Sequence, residues 1–275
     1  MHFNFGFTTA QTLWTVTFAA LLTLLVVLLG RDRIKRFPWF TASIVLFTVR
    51  LLVEVLLAGR LSPVILRMVF LTMADLAALL GLLVVIEVAR RAFAGVKRRT
   101  GVIWTVAMVA VAIVVLSLWG PWPALKTLTS NSLLGALMMM QLLAQKSDLM
   151  VNVLTVELGL AVVLFGRRFK AGWRSHTQQI AIGLSTVSIA WLSVQAVWQV
   201  IATTAHPTTE AEYLRILGLG GKLVNANKVV YIAVLVWWIV CLWRDEPGVK
   251  ALAETPAAVE ADETPSLAAP ADEEQ

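Results

Sequence analysis

The sequence predicts an all-α polytopic membrane protein, a bundle of seven transmembrane helices with its N-terminus outside and its C-terminus inside. Three observations predict it. The 275-residue chain is 59% hydrophobic with a mean hydropathy of +0.79. It contains seven apolar runs of about 20 residues, the length a helix needs to cross a ~30 Å hydrocarbon core at ~1.5 Å per residue. The loops between the runs alternate between strongly and weakly basic, which sets the orientation.

The first span, 9–30, is expected to stay in the mature chain. Its apolar stretch exceeds the ~7–15 residues of a signal-peptide core, and no basic segment precedes it. A loop at 31–37 follows with Arg31, Arg33, Lys35 and Arg36. Spans 40–59 and 64–88 are joined by a tight turn from Arg60 to Pro63, so they are antiparallel neighbours. The next loop, 90–99, holds Arg90, Arg91, Lys97, Arg98 and Arg99. Span 101–119 is broken by Gly120-Pro121-Trp122-Pro123, which sets Trp122 at the headgroup level. Residues 133–143, with the run Met138-Met139-Met140, are expected to form a short helix too brief to cross. Span 148–166 leads into a third basic loop with Arg167, Arg168, Lys170 and Arg174. Spans 179–203 and 223–243 complete the bundle, with Gly218-Leu219-Gly220-Gly221 expected in the loop between them. The alternate loops offer only Arg60, then Lys126 and Lys146, then Arg215 and Lys222. The positive-inside rule therefore places the three basic loops in the cytoplasm.

Two domains follow: a transmembrane domain at 1–243 and an acidic cytoplasmic tail at 244–275. From residue 251 the tail is built mainly of Ala, Pro, Glu, Asp, Thr and Ser without an aromatic residue, a composition that predicts disorder. Its acids, Glu254, Glu260, Asp262, Glu263, Asp272, Glu273 and Glu274, and the basic loops are the places for a cytoplasmic protein partner. The net charge of +6 and pI of 9.8 do not point to nucleic acid. The basic residues sit at helix ends, where anionic headgroups of the lipid bilayer account for them. The single cysteine, Cys241, has no disulfide partner. His2, His176 and His206 are spread over both sides, so no metal site and no cofactor is expected.

Ionisable groups at membrane depth are costly unless paired or hydrated, and they mark the place to look for function. Depth counting puts Glu54, Arg67 and Lys228 in the first turns from the outer side and Arg50, Asp75 and Glu157 about midway. Arg50 and Glu54 stand at i and i+4 on one helical face, and the tight turn brings Glu54 to the depth of Arg67 and Arg50 toward that of Asp75. Gln195 and Gln199 form a second i, i+4 pair. These eight residues are the candidate ligand-binding layer, in the outer half of the bundle. Two readings stay open: a cross-helix ionic network that holds the bundle together, or a polar cavity that takes a small polar ligand from the outer side. Glu87, with Arg90 and Arg91 after it, is read as a local interfacial pair.

No zinc spacing, nucleophile elbow or phosphate loop is present, so no catalytic residue is assigned and an enzyme is not expected. Lys228 lies too near the outer end for a retinal Schiff base. A small-solute, ion or proton transporter is the alternative to a structural or sensory bundle, but internal repeats and paired broken helices are not visible. Three segments carry a resemblance: Arg36-Phe37-Pro38-Trp39-Phe40, Ile86-Glu87-Val88-Ala89-Arg90-Arg91-Ala92-Phe93, and Gly172-Trp173-Arg174-Ser175-His176-Thr177-Gln178-Gln179-Ile180-Ala181. Together they resemble an uncharacterised family of bacterial seven-helix membrane proteins. The resemblance implies the topology over roughly 9–243 and a bacterial cytoplasmic membrane, and it brings no activity or site residue.

Overall fold

A computed structural model describes residues 8–57, 59–94, 98–120, 122, 133–165, 175–205 and 207–245. The expected disordered tail beyond residue 245 lies outside them. So do Lys97, Lys126, Arg167, Arg168, Lys170, Arg174, His2 and His206. Among the described residues there are seven helices: α1 (Thr9–Gly30), α2 (Pro38–Leu57), α3 (Pro63–Ala92), α4 (Arg98–Leu118), α5 (Leu133–Phe165), α6 (His176–Thr204) and α7 (Glu210–Trp243). Each is long and apolar enough to cross a membrane, the architecture of a multi-pass integral membrane protein.

Local chemistry fixes several helix starts. Thr8 and Gln11 form a capping box ahead of α1, Ser62 caps α3 with Pro63 at its first position, and Ser175 accepts from the Gln178 amide at the head of α6. α2 is opened differently. The Phe40 amide in its first turn donates to Glu87 Oε2 of α3 at 3.0 Å. Glu87 therefore does more than pair locally. It supplies a carboxylate to the positive end of α2, while its Oε1 lies 3.9 Å from Arg91.

Two helices run longer than the sequence suggests. The expected short helix at 133–143 is continuous with the fifth span, because Lys146, within the polar stretch between them, finds its partners sideways. Its Nζ donates to the Trp119 carbonyl at 2.6 Å and reaches the Leu116 carbonyl at 3.5 Å, capping the end of α4, and it stands 4.3 Å from the Trp122 ring centroid. α7 begins at Glu210, so Gly218-Leu219-Gly220-Gly221 is helical and not a loop. Thr209 caps this start, and Glu212 Oε2 accepts from the Thr208 amide at 2.9 Å. Gly220 lies directly under the Trp198 indole of α6, in space that a side chain would occupy.

Six helices close a ring in the order α1, α2, α3, α5, α6, α7, each packed on the next and α7 packed back on α1. α4 stands outside the ring and, among the described residues, packs on α5 alone. The described basic residues Arg31, Arg36 and Arg91 gather at one end. Arg31 lies over Trp243 at 5.0 Å and Arg91 over Phe37 at 4.8 Å, and His176 Nε2 is 3.0 Å from the Arg244 carbonyl.

Toward that basic end the ring is filled by apolar side chains. Leu21, Leu24, Leu28, Phe40, Ile180, Leu235 and Leu242 are all 0% exposed. Trp238 crosses the interior, edge-on to Phe40 with centroids 5.1 Å apart, and donates from Nε1 to the Gln179 carbonyl at 3.3 Å. Its indole fits only because position 183 on α6 is glycine.

A candidate polar ligand site in the helix ring

Cross-helix contacts fix which residues share a level. Phe47 meets Tyr231 with centroids 6.3 Å apart, Ser185 Oγ donates to the Thr155 carbonyl at 2.8 Å, and Gly81 packs on Val151. Counting outward from these pairs and from the Phe40–Trp238 pair at ~1.5 Å per residue brings Trp14, Arg50, Asp148, Trp191, Asn227 and Lys228 to one level. Five of the six ring helices contribute to it: α1, α2, α5, α6 and α7. The level lies ~22 Å from the basic end and ~8–10 Å from the far ends of α1 and α2.

Asp148 is the centre of this layer. Trp191 Nε1 donates to its Oδ2 at 2.8 Å, and Asn152, one turn along α5, donates to its carbonyl at 2.7 Å and bonds its carboxylate. Arg50 attracts it through space. α2 and α5 do not pack on one another, and α3, which packs on both, also touches α6. Asp148 is exposed at the surface of the protein. Arg50 and Lys228 are half-buried, and neither makes a hydrogen bond or ion pair within 4.0 Å to a described residue. Trp14 Nε1, Asn227 Oδ1 and Tyr231 Oη are buried without a hydrogen-bond partner among the described residues.

The structure brings only part of the expected layer together. Arg50 and Lys228 share the level. Gln195 lies one turn outward of Trp191 on the same face of α6, and the exposed Glu54 lies one turn outward of Arg50. Gln199 sits higher still, beside Gly120 at the end of α4. Arg67 is exposed on the outer part of α3 and donates to Gln141 of α5, not to Glu54. Asp75 has the right depth but the wrong face. It lies ~120° around α3 from both Gly81, which touches α5, and Glu87, which touches α2, and its Oδ1 is buried without a hydrogen-bond partner among the described residues. Glu157 lies nine residues inward of Asp148 and turns toward the side where α4 packs. Both its carboxylate oxygens are buried and without partners among the described residues. The expected six-charge network is thus not formed: no ion pair joins Arg50, Glu54, Arg67, Asp75, Glu157 and Lys228 to one another.

The residue missed from sequence is Asp148, placed at the outer mouth of its span by the assumption that α5 begins there. A signal was available. Asp148, Asn152, Thr155 and Gly159 recur at i, i+4, i+7 and i+11, a polar and small stripe on an otherwise apolar helix. Compared with protein-family models, with curated proteins and with solved structures, the chain matches none. The site is therefore read from its own geometry.

Proposed function

We propose that the chain is a sensory seven-helix protein of the bacterial cytoplasmic membrane that binds a small polar ligand in its ring from the outer side. The observation that carries this reading is the division of the ring interior. A level with buried polar groups that lack partners among the described residues, Trp14, Asn227 and Tyr231, sits above a mainly apolar interior closed by Phe40, Trp238 and Leu235. The gathering of basic side chains at the plugged end supports that end as cytoplasmic, with the N-terminus outside and the C-terminal tail inside. The basic turns and the acidic tail are then the surfaces for a cytoplasmic protein partner. The plug disfavours the transporter alternative, since a through-path would have to pass Phe40, Trp238 and Leu235. A purely structural role is disfavoured by the pairing, because a welded layer would leave its cations bonded to its carboxylates.

The test is a thermal-shift screen of the full chain in detergent against small polar metabolites. A one-site ligand at 100 times its Kd stabilises by about 2.7 kcal/mol, which is readily measured. A screen across neutral, cationic and anionic compounds without a stabilising member would return the layer to a structural role.

A further inference from the structure

Away from the ring interior, the first turns of α7 and the turn that leads into it enclose an open groove of about 760 Å³. Arg215 and Lys222 both line it, together with Glu212, Ile216, Leu219 and Pro207. The two cations stand at i and i+7, which places them within ~20° of one helical face and ~10 Å apart along the axis. Ile216 and Leu219 lie between them in sequence, so the cations bracket an apolar wall.

The charge in the groove is unbalanced. Between residues 203 and 222 the sequence offers two acids, Glu210 and Glu212. Glu212 is turned back on the helix start, where its Oε2 accepts from the Thr208 amide at 2.9 Å and from the Thr208 hydroxyl at 3.2 Å. Glu210 stands five residues before Arg215, ~140° around the helix. Neither Arg215 nor Lys222 makes a hydrogen bond or has a carboxylate within 4.0 Å among the described residues. Arg215, Lys222 and Glu212 together leave one positive charge.

The depth of the groove points to the anion. α1 and α2, of 22 and 20 residues, are about one hydrocarbon thickness long, so their far ends mark the headgroup level. Lys222 lies six residues, ~9 Å, outward of Lys228, which brings it to those ends, and Arg215 stands ~10 Å beyond. The groove therefore rises from the level where lipid phosphates lie into the water above it.

We infer that the groove binds an anionic phosphate ester of the kind an acidic phospholipid headgroup presents, its phosphate at Lys222 and its polar end toward Arg215. An ammonium is a compact phosphate binder and a guanidinium forks onto paired oxygens, while Ile216 and Leu219 give the carbons of the ester an apolar wall. One negative charge matches the surplus, so an acidic headgroup is preferred to a zwitterionic one. The same ester reaches the groove from the bilayer as a lipid or from water as a free glycerol phosphate. The inference is independent of the polar layer in the ring.

The experiment uses the full chain in detergent, in a Cys241→Ser background, with an environment-sensitive fluorophore on Ala205→Cys, a position that also lines the groove. Dihexanoyl phosphatidylglycerol, dihexanoyl phosphatidylcholine and glycerol 1-phosphate are titrated separately at constant ionic strength. A saturable fluorescence change is expected with the phosphatidylglycerol, about tenfold or more tighter than with the phosphatidylcholine. Arg215→Gln combined with Lys222→Gln should weaken that binding about tenfold or more and leave Tm unchanged, since both side chains are exposed. Arg215→Lys combined with Lys222→Arg, which keeps both charges, should retain it. A response to the lipid without one to glycerol phosphate supports the inference with the bilayer as source, and equal responses to the two support it with a water-borne ester as source. Equal affinity for the two lipids, an undiminished response in the doubly neutral variant, or no saturable response to any of the three compounds would overturn it.

Discussion

Glu87→Ala is expected to be among the most destabilising single substitutions in the bundle, and the structure gives its size. The carboxylate is buried, and its Oε2 accepts from the Phe40 amide at 3.0 Å, at the open end of α2. A hydrogen bond to a charged group contributes about 1.5–3 kcal/mol. An anion at a helix N-terminus adds about 0.3–1 kcal/mol. The Arg91 contact, at 3.9 Å on a partly exposed guanidinium, adds less than about 1 kcal/mol. Glu87→Ala should therefore cost about 2–4 kcal/mol, and Glu87→Gln about 1–2 kcal/mol, since an amide oxygen still accepts from Phe40 but carries no charge. Reversible unfolding in mixed detergent and dodecyl sulfate micelles measures both. Arg91→Met, which also loses its contact with the Phe37 ring, should cost no more than about 1 kcal/mol. The reasoning fails if Arg91→Met costs as much as Glu87→Ala, since the carboxylate would then serve chiefly the local pair.

Four further substitutions follow from the packing. Gly183→Val drives a side chain into the Trp238 indole and should cost at least about 1–3 kcal/mol by overpacking; a stable variant with unchanged tryptophan fluorescence would contradict the close approach of α6 and α7. Lys146→Met removes the cap on α4 and should speed hydrogen exchange near Trp119 while leaving the ring helices protected, as read by exchange mass spectrometry. Arg67→Met and Glu54→Gln, singly and together, should be additive within about 0.3–0.5 kcal/mol; a larger coupling in the unfolding assay would show that the two charges do meet.

The seven spans were legible in the sequence because burial in lipid demands long apolar helices, and the basic turns mark their ends. The full lengths of α5 and α7 were harder to read. Lys146 and the glycines near Gly220 look like loop chemistry until their partners, the Trp119 carbonyl and the Trp198 ring, are in view. The site was legible in part. Depth follows from counting residues, so Arg50 and Lys228 were placed in a common layer. The direction of each side chain depends on which helices are neighbours. The closed ring, with α4 outside it, turns Glu157 toward α4, sets Asp75 on a face apart from the α2 and α5 contacts of α3, and brings Asp148 against Trp191. Neighbour relations of this kind depend on packing between distant segments, and no local pattern in α3 or α5 announces them.

The central claim is that the ring opens to the outer side as far as the polar layer and is closed beneath it. Thiol accessibility in intact cells tests it most directly, with Lys228→Cys and Leu235→Cys each placed in a Cys241→Ser background. Leu235 lies two turns inward of Lys228 and is 0% exposed. A membrane-impermeant maleimide added outside should label the cysteine at 228 and leave the one at 235 unlabelled, before and after permeabilisation. Labelling at 228 only after permeabilisation, or equal labelling at both positions, would contradict the account.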